Sequence, residues 1–513
     1  MNTIYLCCIL RPWAEVMKNL TINGIATPAH IVCWRDDLKD FRKVLQSESF
    51  DSLTLQTVED SWKGLGFPVT EKKVLWSEKL CQFTNNYLAD AVRMMNRLEP
   101  VNSNFKFEER ENFFYFLVVK WLEIIDEKDI ELVISPSIPH RVFDYALYVA
   151  AKFRKIKFVS FQMTPFGSNT IPIDDINEMP NVPLLAFNQK KIVEPDYFKN
   201  FIKKSKRSYS EAIPSYMTKH KNNNRITSLF IKSIKKVRAA AAERKFTKFL
   251  RPNTYWVKAN TSPQESYVGW LEYSILNVKR FLYLRRLRRE YRKHASLLNV
   301  DQLPKRYVLI ALHYQPEETS TPTGRRFSNQ YQLVNSIERS LPEDVMIVIK
   351  EHKSQFYFDQ EGETGRPLQF YRRVSTLSDR ILFADVDFDT FELIDSSLGV
   401  ITISGTIGWE AIARGKFCLH FGRAWYEGAP FSYRIFCEEQ LEEVLKEIAS
   451  PSVRVDSDSR DEILEDFLYR LSASFVKAVH YKSYLNKSDI SIDDSAVNLT
   501  SALISKLSND VKV

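Results

Sequence analysis

Strands and helices alternate regularly through the second half of the chain. Five apolar runs, RYVLIALHY, DVMIVIKEH, RILFADV, GVITIS and KFCLHFG, are separated by segments whose apolar residues have helical spacing. Alternation of this kind is typical of a parallel sheet that carries helices on both faces. We therefore predict a Rossmann-like domain over residues 301–450, which constrains the fold more than any other feature of the sequence.

The first 190 residues show the same alternation less clearly. A strand over residues 3–10 opens the chain, and ELVISPSIP, HRVFDYALYVAAKFRK and IKFVSFQ follow as strand, helix and strand. Two strands joined by one helix indicate a βαβ unit and a parallel sheet. The predicted fold class is therefore α/β, with Rossmann-like domains over residues 1–190 and 301–450 that face each other across a cleft. Residues 451–513 are expected to form C-terminal helices and a polar tail.

Positive charge is concentrated in residues 191–300, between the two predicted domains. The whole chain has 72 Lys and Arg against 64 Asp and Glu, a net charge of +8. Residues 201–300 alone hold 24 basic and 5 acidic residues, so the rest of the chain carries −11. Within this segment FLYLRRLRREYRKH predicts a helix with a basic face, as in helices that lie on anionic membranes or attract phosphate-bearing partners. A solvated helical insertion would have the same composition, and no module for nucleic-acid binding accompanies the charge.

Several classes of enzyme have no support in the sequence. HExxH, GxxxxGK[ST] and GxSxG are absent, and the six cysteines form no CxxC pair, so neither a metal nor a cofactor is predicted. No apolar run approaches the roughly 20 residues that span a bilayer, and the start MNTIYLCCIL does not resemble a signal peptide. We expect a cytoplasmic protein that the basic segment can bring to the inner membrane face.

Polar residues follow three of the predicted strands, where parallel sheets bind ligands. A long loop with a glycine beside two arginines follows the first strand, a Lys-x-His element follows the second, and Ser-Gly-Thr opens a helix after the fourth. Such groups suit the phosphates of a nucleotide, and a glutamate one helical turn further on suits sugar hydroxyls. The predicted donor-binding residues are His313, Arg325, Lys350, His352, Ser404, Gly405, Thr406 and Glu410.

The acceptor side of the predicted cleft has fewer candidates. His140 and Asp144 begin the helix that follows ISPSIP, and Glu317 lies in the long loop on the opposite wall. Each of these side chains can accept a proton from an acceptor hydroxyl. The identity of the catalytic base is left open among the three, since a histidine or an aspartate at a helix start also serves as a cap.

Residues 306–430 resemble the donor domain of capsule polysaccharide biosynthesis glycosyltransferases of the type that add Kdo and related sugars. The resemblance rests on LHYQPEETSTPTG, VIKEH, ISGTIGWEAIARGK and FGRAWYEG, and more moderately on SPSIPHRVFDYALYVAAK. It implies a GT-B architecture, a nucleotide-sugar donor held mainly by the second domain, and transfer without a bound metal. The resemblance suggests a CMP-activated sugar, but Lys353 stands where the family pattern has proline, so UDP and GDP donors remain open as well.

Two other functions stay open at this stage. A sugar-nucleotide 2-epimerase has a similar layout of two domains, and a non-catalytic scaffold of a polysaccharide assembly complex would keep the fold without the chemistry. Asp385 and Asp387 form a DxD string, which occurs in metal-dependent transferases but is equally expected as acidic capping before a helix. The favoured function is transfer of a sugar to a growing or lipid-linked surface polysaccharide.

Overall fold

The computed structural model describes residues 1–8, 11–35, 53–98, 106–179, 196–207, 250–252, 267–315, 317–358, 362–450, 457–481 and 489–508. Its strands are β1 (Asn2–Leu6), β2 (Thr27–Cys33), β3 (Thr54–Thr57), β4 (Ile130–Ser135), β5 (Lys157–Met163), β6 (Asn169–Ile173), β7 (Leu250–Pro252), β8 (Tyr267–Gly269), β9 (Ala295–Leu297), β10 (Tyr307–Ala311), β11 (Met346–Lys350), β12 (Ile381–Ala384), β13 (Gly399–Thr402), β14 (Phe417–His420), β15 (Ser432–Arg434) and β16 (Val476–Lys477). Its α-helices are α1 (Arg11–Ile22), α2 (Val58–Ser61), α3 (Glu78–Met94), α4 (Phe107–Glu127), α5 (Val142–Phe153), α6 (Tyr197–Ser205), α7 (Trp270–His294), α8 (Gln330–Ser340), α9 (Phe370–Ser375), α10 (Thr390–Ser396), α11 (Ile407–Ala413), α12 (Glu438–Ala449), α13 (Ser457–Ser472) and α14 (Ile492–Ser508).

The N-terminal domain is built on a mainly parallel sheet. Its strand order is β16-β6-β5-β4-β1-β2-β3, and only β6 and β16 run antiparallel to their neighbours. The central strands are apolar along almost their whole length because helices cover both faces. Helices α4 and α5 form one layer, and α1 and α14 form the other.

The C-terminal domain has a second sheet, in which every strand pair is parallel. Its order is β15-β14-β13-β10-β11-β12-β9. Helices α7, α8, α9 and α12 cover one face, and α10 and α11 lie on the other. The prediction of an α/β fold with two Rossmann-like domains is confirmed by these two sheets.

The segments outside the two predicted domains join them closely. Strand β9 is an edge strand of the second sheet and α7 packs on the same domain, so the described end of the basic segment belongs to the C-terminal half. Strand β16 pairs with β6 and α14 packs against α1, so the chain returns to the N-terminal domain. Residues 208–249, which carry much of the predicted basic insertion, lie outside the described residues, and the exact domain boundaries stay predictions.

The two domains are in contact through aromatic and polar side chains. Trp409 and Trp425 of the second domain share one core cluster with Phe166 and Phe201, and the Trp409 indole donates a 3.0 Å hydrogen bond to Ser205. Arg434 donates a 2.6 Å hydrogen bond to the carbonyl of Asn177. His140, which follows β4, also lies 3.4 Å from Glu318, which follows β10, so the carboxyl ends of the two sheets face each other across an interdomain cleft. Within the described ranges no helix has the length and apolarity to cross a membrane.

Candidate active site in the interdomain cleft

His313 follows β10 and ties the ends of two strands together. Its Nε2 lies 2.9 Å from the Thr402 hydroxyl and accepts hydrogen bonds from the backbone amides of Ile403 and Ser404 at 3.2 and 3.3 Å. An Nε2 that accepts leaves the proton on Nδ1, which lies 3.4 Å from the Thr319 hydroxyl. Burial lowers the pKa of His313 to about 3, so the ring stays neutral. The predicted donor ligand is thus a neutral histidine that organises the loop after β13.

The loop after β13 brings the Ser-Gly-Thr element to the cleft. The Ser404 hydroxyl donates a 2.6 Å hydrogen bond to the carbonyl of Thr319, and the Gly405 carbonyl accepts one from Tyr426 at 2.7 Å. A Cβ at Gly405 would lie 3.3 Å from the His313 ring, so this position favours glycine. Thr406 is exposed at the start of α11 and leaves its hydroxyl available to a ligand.

Glu410 lies one turn into α11 and is partly buried. Burial raises the pKa of its carboxyl to about 7, and the nearby Arg414 acts in the opposite direction. No hydrogen-bond donor among the described residues reaches this carboxylate. A carboxyl group without a protein partner suits the hydroxyls of a bound sugar or ribose.

The two residues of the Lys-x-His element, Lys350 and His352, have different contacts. Lys350 is buried and donates a 2.7 Å hydrogen bond to Thr390, and burial lowers the pKa of its ammonium to about 7. His352 caps the short 3₁₀ turn 353–356 by accepting from the amide of Ser354 at 3.2 Å. Burial, helped by Lys350, lowers the pKa of this imidazole to about 4. His352 lies close enough to His313 to affect its pKa, and His313 contacts the residues after β13. The residues that follow β10, β11 and β13 therefore lie close together.

A buried ion pair that the sequence did not suggest supports these strand ends. The Arg366 guanidinium lies 2.9 Å from the Glu351 carboxylate, and both side chains are almost fully buried. Tyr371 donates to the same carboxylate at 2.7 Å, and Arg366 also donates to the carbonyl of His313. Glu351 follows β11, so this network fixes the backbone between Lys350 and His352. The resulting geometry is rigid because a buried charge without its partner is costly.

The two walls of the cleft meet at a histidine and a glutamate. His140 Nδ1 lies 2.7 Å from the Ile138 carbonyl and 3.4 Å from Oε2 of Glu318, which belongs to the loop after β10. Both contacts place the proton on Nδ1 and leave Nε2 as the basic nitrogen. The neighbouring Arg141 is partly buried, and its guanidinium lies over the rings of Trp34 and Trp62, at 5.0 and 5.7 Å. Sequence reasoning named Glu317, whereas the contact with His140 is made by Glu318.

The remaining predicted residues have structural contacts. Asp144 caps α5, because its carboxylate accepts from the amides of Arg141 and His140 at 2.6 and 3.3 Å. Burial raises the pKa of Asp144 to about 7. The backbone carbonyl of Glu317 accepts from Thr321 at 2.9 Å. Arg325 is exposed, has a positive φ of 46°, and faces the N-terminal domain near Asp90.

Arg423 is a functional candidate that the sequence analysis missed. It follows β14, is 3% exposed, and donates across the cleft to Gln162. Its Nε has no hydrogen-bond partner among the described residues, and burial lowers the pKa of the guanidinium to about 10. The same rule that located His313 and Ser404, a polar residue just after a parallel strand, would have found it.

The DxD string is part of the scaffold around α10. Asp385 accepts from the amide of Asp387 at 2.8 Å, and Asp387 lies 3.2 Å from Arg288 and 3.6 Å from Lys353. Across the described part of the chain, no group of three or more His, Cys, Asp or Glu residues is placed to hold a metal ion.

One family model matches most of the C-terminal domain. Residues 287–448 match the family described as capsule polysaccharide biosynthesis protein. The resemblance to capsule polysaccharide biosynthesis proteins is therefore confirmed, and the matched segment contains every strand end discussed above for the second sheet. No curated protein matches the chain.

Three of the solved structures that resemble this chain are distant likenesses. A β-Kdo 2,7 transferase, KpsC of Thermosulfurimonas dismutans, has a TM-score of 0.29 and 9% identity, covering 98% of this chain and 99% of that one. The UDP-GlcNAc 2-epimerase from Methanocaldococcus jannaschii has a TM-score of 0.23 and 12% identity, covering 91% and 99%. MnaA of S. aureus, solved with UDP, has a TM-score of 0.23 and 14% identity, covering 96% and 100%. These scores are too low to bear on substrate or reaction.

Proposed function

We propose that this protein is a glycosyltransferase of capsule polysaccharide biosynthesis. It transfers a sugar from a nucleotide-sugar donor to a glycan or glycolipid acceptor, and it works in the cytoplasm at an anionic membrane surface. The observation that carries the proposal is the family match over residues 287–448, because this segment supplies the strand ends that border the cleft.

The donor would lie against the ends of β10, β13 and β14. Ser404, Gly405 and Thr406 offer a turn with an exposed hydroxyl at Thr406. The Nε of Arg423, which has no partner in the described part of the chain, offers a donor to a phosphate oxygen. Glu410 would accept hydrogen bonds from sugar hydroxyls. The site is supported by the hydrogen bonds of His313, Lys350 and His352, which position the loops at the strand ends. Arg325 adds positive charge at the rim of the site.

The acceptor would be activated by His140. Its Nε2 takes the proton of the acceptor hydroxyl while the oxygen of that hydroxyl bonds to the anomeric carbon and the nucleotide phosphate leaves with the bonding electron pair. Glu318 keeps Nδ1 protonated and stabilises the imidazolium that forms. Asp144 orients the loop that carries His140, and Glu317 shapes the opposite wall.

The charge that develops on the leaving phosphate needs compensation. Arg423 and the donors of the 404–406 turn are preorganised for this role, which electrostatic stabilisation of a transition state requires. We therefore expect transfer to continue in the presence of EDTA.

Donor binding and transfer can be tested separately. A thermal-shift panel of CMP-, UDP- and GDP-sugars should give a rise in melting temperature with one base, since a ligand that binds the folded state stabilises it by about 2.7 kcal/mol at a hundred times its Kd. The Glu410→Ala variant should lose this shift. His140→Ala should keep the shift yet lose transfer by about 10²–10⁴-fold, as expected for a general base.

Glu442→Ala is the matched control, since this glutamate lies exposed on α12 and should behave as wild type. The absence of a shift with every nucleotide sugar would favour a scaffold. Conversion of the donor in the absence of any acceptor would favour an epimerase. Either result would contradict the proposal.

A further inference from the structure

Helix α7 has one face that the second domain buries and an opposite face that no described residue covers. Leu284, Leu287 and Tyr291 are buried in the core of the C-terminal domain. Positions 275, 278, 282, 286, 289 and 293 recur at intervals of three or four residues, so they lie along one side of the helix. All six of these side chains are exposed, and they point away from the buried side.

The first half of the exposed face is aliphatic. Ile275, Val278 and Leu282 are 48%, 59% and 55% exposed. Single exposed aliphatic residues are common, but three in register on one helix leave a continuous apolar strip in water. Such a strip favours a partner that can take up apolar surface.

The second half of the same face is strongly basic. Arg285, Arg286, Arg289 and Arg292 are all exposed, and Lys293 pairs with Glu290 at 2.8 Å. An aliphatic strip that continues into a run of arginines is the arrangement of helices that lie in the plane of an anionic bilayer. The buried side of α7 holds the helix on the domain. The exposed face is therefore already ordered before it meets a membrane.

A cavity of about 980 Å³ opens beside the basic half of the helix. Five arginines of α7 line it together with the rings of Phe356 and Phe358. This cavity is larger than the one of about 670 Å³ that α7, α8 and α3 help to line. Guanidinium groups around an apolar floor suit the phosphate and glycerol of a lipid headgroup.

We propose that the exposed face of α7 is a docking surface for membranes that contain anionic phospholipid. Ile275, Val278 and Leu282 enter the headgroup region, and the arginines contact lipid phosphates. The inference deepens the proposed function by naming the surface that meets the membrane. It does not depend on the transfer reaction, because vesicle binding can be measured whether or not the protein transfers a sugar.

The test is sedimentation of the full chain with vesicles of phosphatidylcholine alone or mixed with phosphatidylglycerol. Wild type should bind the mixed vesicles at least about tenfold more tightly, and added NaCl should weaken this binding. The triple variant Arg285→Glu, Arg286→Glu, Arg289→Glu should lose at least about tenfold in affinity for mixed vesicles. Val278→Ser with Leu282→Ser should also bind less tightly, with the dependence on salt retained.

A matched control reverses the same number of charges elsewhere. The triple variant Lys305→Glu, Arg339→Glu, Lys446→Glu changes exposed residues outside α7 and should bind like wild type. Equal binding to neutral and anionic vesicles, insensitivity to salt, or an equal loss in the control would overturn the proposal. Binding of RNA without binding of vesicles would overturn it as well. If the arginine variant does not fold, the serine variant decides the matter, since its loss of vesicle binding is required by the same proposal.

Discussion

At the scale of single residues, burial decides what each predicted ligand can do. His313 and Lys350 were predicted as groups that face a phosphate, but both are buried and hydrogen-bonded to the protein, at Thr402 and Thr390. Their residue types and their positions after a strand were informative, because each lies at the expected edge of the sheet. Arg423 is just as buried, but its Nε keeps no hydrogen-bond partner among the described residues. Which polar atoms the protein itself satisfies depends on neighbours that are distant in sequence, so the sequence alone did not separate these two residues from Arg423.

The carboxyl of Glu410 predicts a dependence of stability on pH. Its pKa is raised from 4.5 to about 7 by burial, so the folded state holds the proton to a higher pH than the unfolded state does. Stability from this group is therefore present at low pH and lost as the pH rises from about 4.5 through 7. Glu410→Gln should remove this loss and be more stable than wild type near pH 8.

Urea denaturation at several pH values measures the effect. Below the pKa in both states the wild-type carboxyl is neutral, so the two proteins should converge there, which provides an internal control. Parallel stability curves for wild type and Glu410→Gln across this range would contradict the assigned shift.

At the scale of elements, close contacts with residues from other elements fix the positions of the helices that follow the strands. A helix was predicted to begin at the Ser-Gly-Thr element, and α11 does begin there, with Thr406 as its N-cap. The sequence did not show why Gly408 stands inside this helix. A Cβ at this position would lie 2.1 Å from the hydroxyl of Tyr426, which itself donates to Gly405. The glycine is therefore required by a contact with a residue that follows β14, beyond the helix itself.

Gly408→Ala tests this close approach. The added methyl group must displace Tyr426 or α11, and overpacking of this kind costs about 1–3 kcal/mol. The loss should appear although alanine favours a helix over glycine by about 1 kcal/mol. Equilibrium unfolding in urea gives the free energy of each variant.

Tyr426→Phe is the companion change, since it removes the oxygen that the methyl group meets. Gly408→Ala should cost less in the Tyr426→Phe background than in wild type. An increase in stability in the single variant, as helix propensity alone predicts, would show that α11 has room at this position.

At the scale of the whole molecule, the C-terminal end of the chain adds a strand and a helix to the N-terminal domain. Residues 451–513 were expected to form C-terminal helices and a polar tail, and the structure shows that α14 packs Leu499 and Leu503 against α1 in the N-terminal domain. Strand β16 extends the first sheet in the same way. Only a few apolar residues lie on one side of α14, which gives a weak pattern, so the sequence did not show where this helix would pack.

Leu503→Ala should therefore destabilise the N-terminal domain. A fully buried leucine in a packed core costs about 2–5 kcal/mol when it is truncated to alanine. Val497→Ala on the same helix is the control, because Val497 is 60% exposed and its truncation should change stability little. Unfolding of both variants by denaturant gives the comparison, and equal costs would mean that α14 is not docked in solution.

The sequence by itself determined the two α/β domains, the strand ends that carry polar groups, and the likeness to capsule polysaccharide proteins. It could do so because the alternation of strands and helices and the spacing of apolar residues are local properties that can be read directly from the amino-acid sequence. Only the tertiary structure paired His140 with Glu318 across the cleft, buried Glu351 against Arg366, and turned one face of α7 outward. These features depend on contacts between residues far apart in the chain, and such contacts are fixed by packing after the elements have formed.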